Sequence, residues 1–415
     1  MKAWVESYGC TMNQGEGAKL EAQLASMGHT LVSDPADAEL VIVNTCTVIK
    51  ETERRMLKRL EELSGQRKNI IVTGCLAAVQ SGEAVKRAPN ALVVPPRSYG
   101  SFIELVEGRY GPADESVTIS LPTASSAVVP IAQGCLGNCS YCITRLARGT
   151  LMSYSPEAIV EEARSHVRSG AAELLITAQD TAAYGMDRNA DLGELLRAIT
   201  SIPGDYRVRV GMMNPQSLAP ILPSFLAAWR SLKIYQFIHL PVQSGSDHIL
   251  EAMNRRHVVK DFEGLVDRLR SNSPDMSLAT DVITGFPGET DDDHRATVEL
   301  IGRIRPDIIN VTRYSPRPGT EAARARNQVP GWRSKERSRE LTALRMDIGM
   351  ELHRSRIGME ESVLITEHGK EGTMIGRTDA YRPVVVKGTY PIGTRHLVVM
   401  IDATSTYMIG RAAGT

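Results

Sequence analysis

The sequence predicts an α/β protein in three parts. An N-terminal parallel α/β domain spans residues 1–110, a central partial (β/α)6 TIM-like barrel spans 126–356, and a small antiparallel β-barrel spans 357–415. Three observations predict this. Short apolar runs alternate with amphipathic helical segments at the start, which implies a parallel sheet with helices on its faces. The alternation resumes at VVPIAQGC and repeats about six times, as in a partial barrel. Beyond residue 357 the helical pattern gives way to short strands with Gly-rich turns.

In the first part KAWVESYG, ELVIVNTC and NIIVTGC read as strands. EGAKLEAQLASMG and ETERRMLKRLEELSG read as helices ending at Gly28 and Gly65. Residues 108–127 read as a linker flanking one short strand. In the second part the strands are VVPIAQG, ELLITAQD, YRVRVGMM, YQFIHLPV, LATDVITG and IINVTRYS. Helices such as SPEAIVEEARSHVRSG and KDFEGLVDRLRSN lie between them. A charged segment from Glu321 is helical in its second half. ESVLITE, TMIGRT, YRPVVVKG and RHLVVMIDATS are the strands of the third part.

The chain has 415 residues, 42% of them apolar, and zero formal charge. Global electrostatics therefore selects no partner, and a nucleic acid would have to be met by local patches. No run approaches the roughly 18 to 20 apolar residues of a membrane span. MKAWVESYGCTMNQ is no signal peptide, and no tail anchor is visible, so a cytoplasmic protein is expected. Disulfides are then disfavoured. The six cysteines bind metal, do redox chemistry or pack in the core.

Cys135, Cys139 and Cys142 sit in GCLGNCSYC with spacing C-x3-C-x2-C. Three thiolates can hold three irons of a four-iron cluster and leave the fourth open. Structural zinc is the other reading, but a closed zinc site wants four ligands and no fourth Cys or His lies nearby in sequence. Compact cysteine spacing suits a cluster, and Leu136, Gly137, Asn138, Ser140 and Tyr141 suit a tight loop whose amides donate to sulfur. Cys10, Cys46 and Cys75 each fall just after a strand. Ligands of open parallel sheets sit beyond the carboxyl ends of the strands, so these three converge on one edge.

SYGCTMN, VNTCTV, TGCL, GCLGNCSYCITRLARG, TAQDTAAYG, HLPVQSGSDHIL, DVITGFPGET and YSPRPGT occur in this order. The chain thereby resembles the radical S-adenosylmethionine (SAM) methylthiotransferases from about residue 2 to the end, and its last part resembles a TRAM domain. The resemblance implies two [4Fe-4S] clusters, one on each cysteine triad. The Cys135 cluster binds SAM through its open iron and cleaves it to a 5′-deoxyadenosyl radical. The other supplies or carries the inserted sulfur. An electron donor and a sulfur source, neither identifiable from sequence, are implied partners.

Other residues are candidates by their positions in the sequence. Gln179, Asp180 and Gln243 end buried strands and are expected at the substrate or SAM, with a helix cap as the plain alternative for the first two. Ser244 and Asn214 are expected to contact cofactor, although Asn-Pro is also a common turn. Arg148 is expected to meet the SAM carboxylate, or else to form a surface ion pair. Gly285 and Pro287 belong to ITGFPGET (283–290), which in the family lies along the adenine of SAM and would otherwise be a plain turn. Asp281 is expected to hydrogen-bond at the site, with a buried structural Asp as the equal alternative. His239 reads as a hydrogen-bonded core histidine. Asn13 and Asn44 orient loops near the second triad or simply form turns. Arg377, Tyr381 and Arg382 of the C-terminal barrel would stack on and pair with RNA, against a plain solvated surface. The basic stretch 324–339 would help hold phosphate.

Family members act on an adenosine beside the tRNA anticodon or on a ribosomal-protein aspartate. ITRLARG after Cys142 lacks a proline usual in the isopentenyladenosine and ribosomal-protein types, and NP at 214–215 agrees. The chain thus resembles the archaeal and eukaryotic type, which acts on N6-threonylcarbamoyladenosine at tRNA position 37. The membrane segment of the eukaryotic members is missing, which favours the archaeal-like form. A protein-aspartate enzyme and a non-catalytic iron–sulfur RNA-binding or redox-sensing protein are the alternatives.

Overall fold

The computed structural model describes residues 1–48, 50–110 and 125–413. Most of the 108–127 linker therefore lies outside the described residues. The first part is a five-stranded all-parallel sheet of β1 (Lys2–Ser7), β2 (Thr30–Leu31), β3 (Leu40–Thr45), β4 (Asn69–Thr73) and β5 (Leu92–Val93), in the order β2-β1-β3-β4-β5. Helices α1 (Thr11–Ser26), α2 (Lys50–Gly65), α3 (Gly74–Val79), α4 (Ser81–Arg87) and α5 (Phe102–Tyr110) accompany it. All six residues of β3 are buried, because both faces of the sheet are covered by helices. Met56, Leu60 and Leu63 form the buried stripe of α2, at the spacing one helical face requires.

This strand order reverses direction between β1 and β3. Such a switch point opens a crevice at the carboxyl ends of the strands. Cys10 follows β1 and Cys46 follows β3, so the two flank the crevice. Cys75, after β4, is the second residue of α3 rather than part of a loop.

The central part contains β6 (Ser126–Pro130), β7 (Ala132–Gln133), α6 (Ile143–Arg148), β8 (Met152–Ser153), α7 (Pro156–Arg168), β9 (Glu173–Thr177), α8 (Leu192–Thr200), β10 (Arg207–Val210), α9 (Pro215–Trp229), β11 (Phe237–His239), α10 (Asp247–Ala252), α11 (Val259–Asn272), β12 (Ser277–Thr284), α12 (Asp291–Ile304), β13 (Ile308–Arg313) and α13 (Gly331–Arg354). Strands β10-β9-β6 and β11-β12-β13 form two parallel sheets. A parallel bridge from Val208 to Ile234 joins them, giving the partial six-stranded barrel. Local signals set its helices: Ser155 caps α7 through the Ala158 amide, with Pro156 in the first turn, and Thr290 and Asp293 form a capping box on α12. Helix α1 lies against edge strand β6. A side chain at Gly15 would come within 2.7 Å of Val128, so only glycine permits this approach.

The third part is a closed barrel of β14 (Glu360–His368), β15 (Thr373–Thr378), β16 (Pro383–Lys387), β17 (Arg395–Ala403) and β18 (Met408–Ala412), in the order β14-β15-β16-β18-β17. Its β16–β18 pair is parallel and its other pairs are antiparallel. It docks on the amino ends of the central strands. The Asp379 carbonyl accepts from the Gln236 amide at 2.8 Å, and Asp379 pairs with Arg207.

This docking corrects the RNA-contact expectation for Tyr381 and Arg382. Tyr381 has positive φ (63°) and packs its ring on Tyr235 and Phe237, with centroids 4.8 and 5.2 Å away. Arg382 is buried and donates from Nε to Asp307 at 3.0 Å and from a terminal nitrogen to the Asp275 carbonyl at 3.1 Å. Arg377 lies over the Tyr381 ring at 4.8 Å. Tyr381 and Arg382 fasten one domain to another, and the faces of the Tyr381 ring are already covered by Arg209 and Arg377, while Arg377 itself stays within the barrel, 3.9 Å from Glu367.

Candidate active site

The first triad sits on a loop between β7 and β8, which pair antiparallel. The Cys135 amide donates to Gly149 O at 3.1 Å, closing the base of the loop. Cys142 is the N-cap of α6. The Gly137 amide points at Cys135 Sγ, 3.2 Å away. Ser140 anchors the loop to the end of α10, its hydroxyl on Ala252 O (2.8 Å) and its amide on Met253 O (3.0 Å). Tyr141 meets Phe286 edge-on at 6.2 Å, which brings the GFPGET turn onto the cysteine loop. That turn needs its glycine: Gly285 has φ +73°, and an added Cβ would lie 2.5 Å from Ser334. A buried ion pair between Glu289 and Arg337 (2.6 Å) braces it from α13, while Glu289 also accepts the Gly285 amide at 2.6 Å.

A polar chain runs behind the loop. Gln179 Oε1 accepts the Gly134 amide at 2.7 Å. Asp180 is 1% exposed and accepts from the Asn214 amide (3.0 Å), Asn214 Nδ2 (2.8 Å) and Ser217 Oγ (2.7 Å). Burial raises its carboxyl above the usual range against those donors. Asn214 Oδ1 in turn accepts from Arg255 Nη1 at 2.9 Å, and the same nitrogen lies 3.6 Å from Cys139 Sγ. Asp180 and Asn214 thus hold the start of α9 and aim Arg255 at the loop. This corrects their expected direct contact with substrate or cofactor, and the helix-cap alternative describes Asp180.

Ser244 is corrected likewise. Its buried hydroxyl accepts the Ser246 amide at 3.2 Å and lies 3.4 Å from Thr297 Oγ1, so it shapes the turn into α10. Gln243 differs. It is 8% exposed, holds a left-handed φ of 74°, and its side-chain amide makes no hydrogen bond among the described residues. Positive φ at a non-glycine residue is strain that functional sites hold. Asp281 accepts from Asn310 Nδ2 at 2.8 Å and lies 2.9 Å from His239 Nε2. Burial acts to raise its carboxyl, but these hydrogen bonds outweigh it and hold the group below the usual range.

The second triad lies at the switch point. Asn13 Nδ2 donates to Tyr8 O (2.7 Å) and Thr45 O (2.9 Å), and Asn44 Nδ2 donates to Asn13 O (2.7 Å). They tie together the loops that carry Cys10 and Cys46. Arg148 is here, and not at the SAM carboxylate: that expectation is corrected. It is 2% exposed, pairs with Glu16, and donates to Asn13 Oδ1 at 2.8 Å and from Nε to Cys75 Sγ at 3.4 Å. Arg317 reaches the loop after Cys46 in the same way, donating to Thr47 Oγ1 at 2.8 Å and pairing with Glu53.

Burial pushes the Cys75 and Cys135 thiols up to about 11. The free thiols are therefore protonated, and metal uptake must release protons. Among the described residues no three His, Cys, Asp or Glu side chains meet round one point as a single-ion site requires. A four-iron cluster asks for something else, three sulfurs each on its own iron, with donors directed at sulfur. Each triad offers three thiols and a buried arginine beside one of them, which fits an anionic cluster.

Arg255, Arg317 and Glu16 were not singled out by sequence reasoning. Arg317 lies inside YSPRPGT, which was the available signal. Arg255 in NRRH and Glu16 in α1 carried none.

Residues 2–95 match the Uncharacterized protein family UPF0004, residues 129–301 the Radical SAM superfamily, and residues 354–413 the TRAM domain. A Pyrococcus abyssi protein named probable threonylcarbamoyladenosine tRNA methylthiotransferase is 42% identical over 429 residues, covering 99% of this chain and 99% of that one. The chain belongs to the radical SAM methylthiotransferase family. A Bartonella bacilliformis tRNA-2-methylthio-N(6)-dimethylallyladenosine synthase, another relative of this methylthiotransferase, is 33% identical, covering 100% of this chain and 97% of its own. Among solved structures, the radical SAM methyltransferase TsrM from Kitasatospora setae superposes with a TM-score of 0.60 at 15% identity, over 78% of this chain and 74% of that one. The methylthiotransferase shares that fold. No helix among its described residues is long and apolar enough to cross a membrane.

Proposed function

We propose that this enzyme replaces the C2 hydrogen of N6-threonylcarbamoyladenosine in tRNA, beside the anticodon, by a methylthio group. The observation that carries the reading is the pair of three-thiol sites joined by one short helix. Helix α6 begins at Cys142 of the first triad and ends at Arg148, which touches Cys75 of the second. When bound, two [4Fe-4S] clusters and SAM supply radical, sulfur and methyl group. Cys135, Cys139 and Cys142 would hold one cluster, and Cys10, Cys46 and Cys75 the other. The chain's own part is to orient and enclose. Arg255 and the Gly137 amide offset charge at the first triad, and Arg148 does so at the second. Gly285 and Pro287 offer a turn that would hold the nucleoside part of SAM. The unpartnered amide of Gln243 is the group free to meet substrate or SAM, and Asp281 sits pre-aligned by His239 and Asn310. The choice of nucleoside is supported by the name of the 42%-identical archaeal relative over its full length.

The test is anaerobic reconstitution with iron, sulfide, SAM and a reductant, then nucleoside mass spectrometry. tRNA carrying N6-threonylcarbamoyladenosine should gain the methylthio group, and tRNA carrying isopentenyladenosine should not. Deoxyadenosine release without a modified nucleoside on the first tRNA would sink the substrate assignment.

A further inference from the structure

Beside the first triad lies a groove of about 500 Å³ between the start of α9 and α11. That is the size class of a site for one nucleotide or a small ligand. Its inner wall is Gln216 and Arg256. The Arg256 amide donates to Gln216 Oε1 at 3.3 Å, and Gln216 Nε2 lies 3.9 Å from where a Cβ on Gly137 would sit. Arg255, one residue away, reaches Cys139. The groove therefore opens directly beside the cysteine loop.

Its chemistry is cationic. Arg256, Lys260 and Arg268 line it, all exposed, and among the described residues none forms a salt bridge, whereas most arginines around the site do. The acidic side chain in the lining, Asp261, accepts the Val258 amide at 3.2 Å and is turned toward its own helix start. A second observation points to a ligand. His257 lines the same groove and is 5% exposed. The Val242 carbonyl gives its ring only a marginal contact, and neither ring nitrogen reaches a hydrogen bond of full geometry. A buried imidazole with no hydrogen bond of full geometry is costly. A phosphate oxygen or ribose hydroxyl entering the groove would supply that partner.

We propose that this groove seats the sugar–phosphate backbone of the RNA next to the nucleotide being modified. The inference rests on the tRNA reading above. A target base delivered to the cysteine loop carries its chain neighbours within reach of the adjacent surface, where unpaired cations gain by displacing counterions from phosphate.

Lys260→Glu and Arg268→Glu, on the exposed side of α11, test it singly and together in the cluster-loaded enzyme. Unfolding temperature and iron content check that the variants fold and load. The binding of threonylcarbamoylated tRNA is measured across a salt series. The double variant should bind at least ten-fold more weakly at low salt. Its log K against log[salt] slope should shrink by about two, roughly one for each phosphate that is no longer neutralised. His257→Phe should weaken binding several-fold with the slope unchanged. Lys370→Glu with Lys387→Glu on the C-terminal barrel is the comparison pair. Unchanged affinity and slope in the groove variants, with tRNA binding abolished in the barrel pair, overturns the assignment. Wild-type enzyme that binds and modifies no tRNA overturns the functional reading instead, and the groove with it.

Discussion

Arg148 and Glu16 are both almost fully enclosed where the first and second domains meet. Removing one member of such a pair leaves an uncompensated buried charge. Arg148→Ala should therefore destabilise by roughly 3–5 kcal/mol in chemical unfolding, and the purified protein should lose about half its iron. Arg148→Met combined with Glu16→Leu should recover most of the stability without recovering the iron. That outcome separates packing from the contact with Cys75. His257 titrates on a different axis. Burial, then the charge of Arg255, lowers its folded pKa to about 4, below the usual 6.5 or so. The native state thus disfavours the protonated ring, and the contribution is whole above about pH 6.5. It fades as pH falls toward 4, by on the order of 3 kcal/mol. The denaturant midpoint of wild type should fall relative to that of His257→Phe over that window. A wild-type curve parallel to the variant's would refute the assignment.

At the scale of elements, α6 is a strut of six residues with a triad at each end. One alanine inserted after Leu146 turns Arg148 about 100° round the helix and away from Cys75. SAM cleavage by the first triad should persist while methylthio product disappears, as deoxyadenosine release and nucleoside analysis would show. The strands were legible from sequence because buried parallel strands are near-continuous apolar runs, as in LVIVNT. The cysteines were legible because their spacing and their places at strand ends speak directly. The strand Met408–Ala412 was not, since MIGRA is short and carries both Gly410 and Arg411. The partners of the arginines that organise the site were not legible either. Arg148 finds Glu16 132 residues away, and Arg317 finds Glu53 264 residues away. No local pattern encodes a partner at such distance.

For the whole molecule, Cys139→Ala should abolish SAM cleavage, and Cys46→Ala should keep some of it while blocking sulfur insertion. Anaerobically loaded wild type should hold about eight irons. A Cys46→Ala enzyme that still makes full product would refute the two-cluster assignment. The C-terminal barrel misled sequence reasoning because an arginine that fastens two domains and one that waits for phosphate look alike in a string of letters. Arg382→Ala should lower stability, through the inter-domain ion pair with Asp307 that it removes, without changing tRNA affinity per folded molecule. The docking of that barrel also sets a length. It covers the amino ends of the central strands, while the cysteine loop stands at their carboxyl ends. Strand β12, eight residues long, makes the separation roughly 27 Å. The enzyme is thereby a ruler: an RNA that touches both ends at once must be as long as a folded arm, and a free nucleoside or a short oligonucleotide reaches only one.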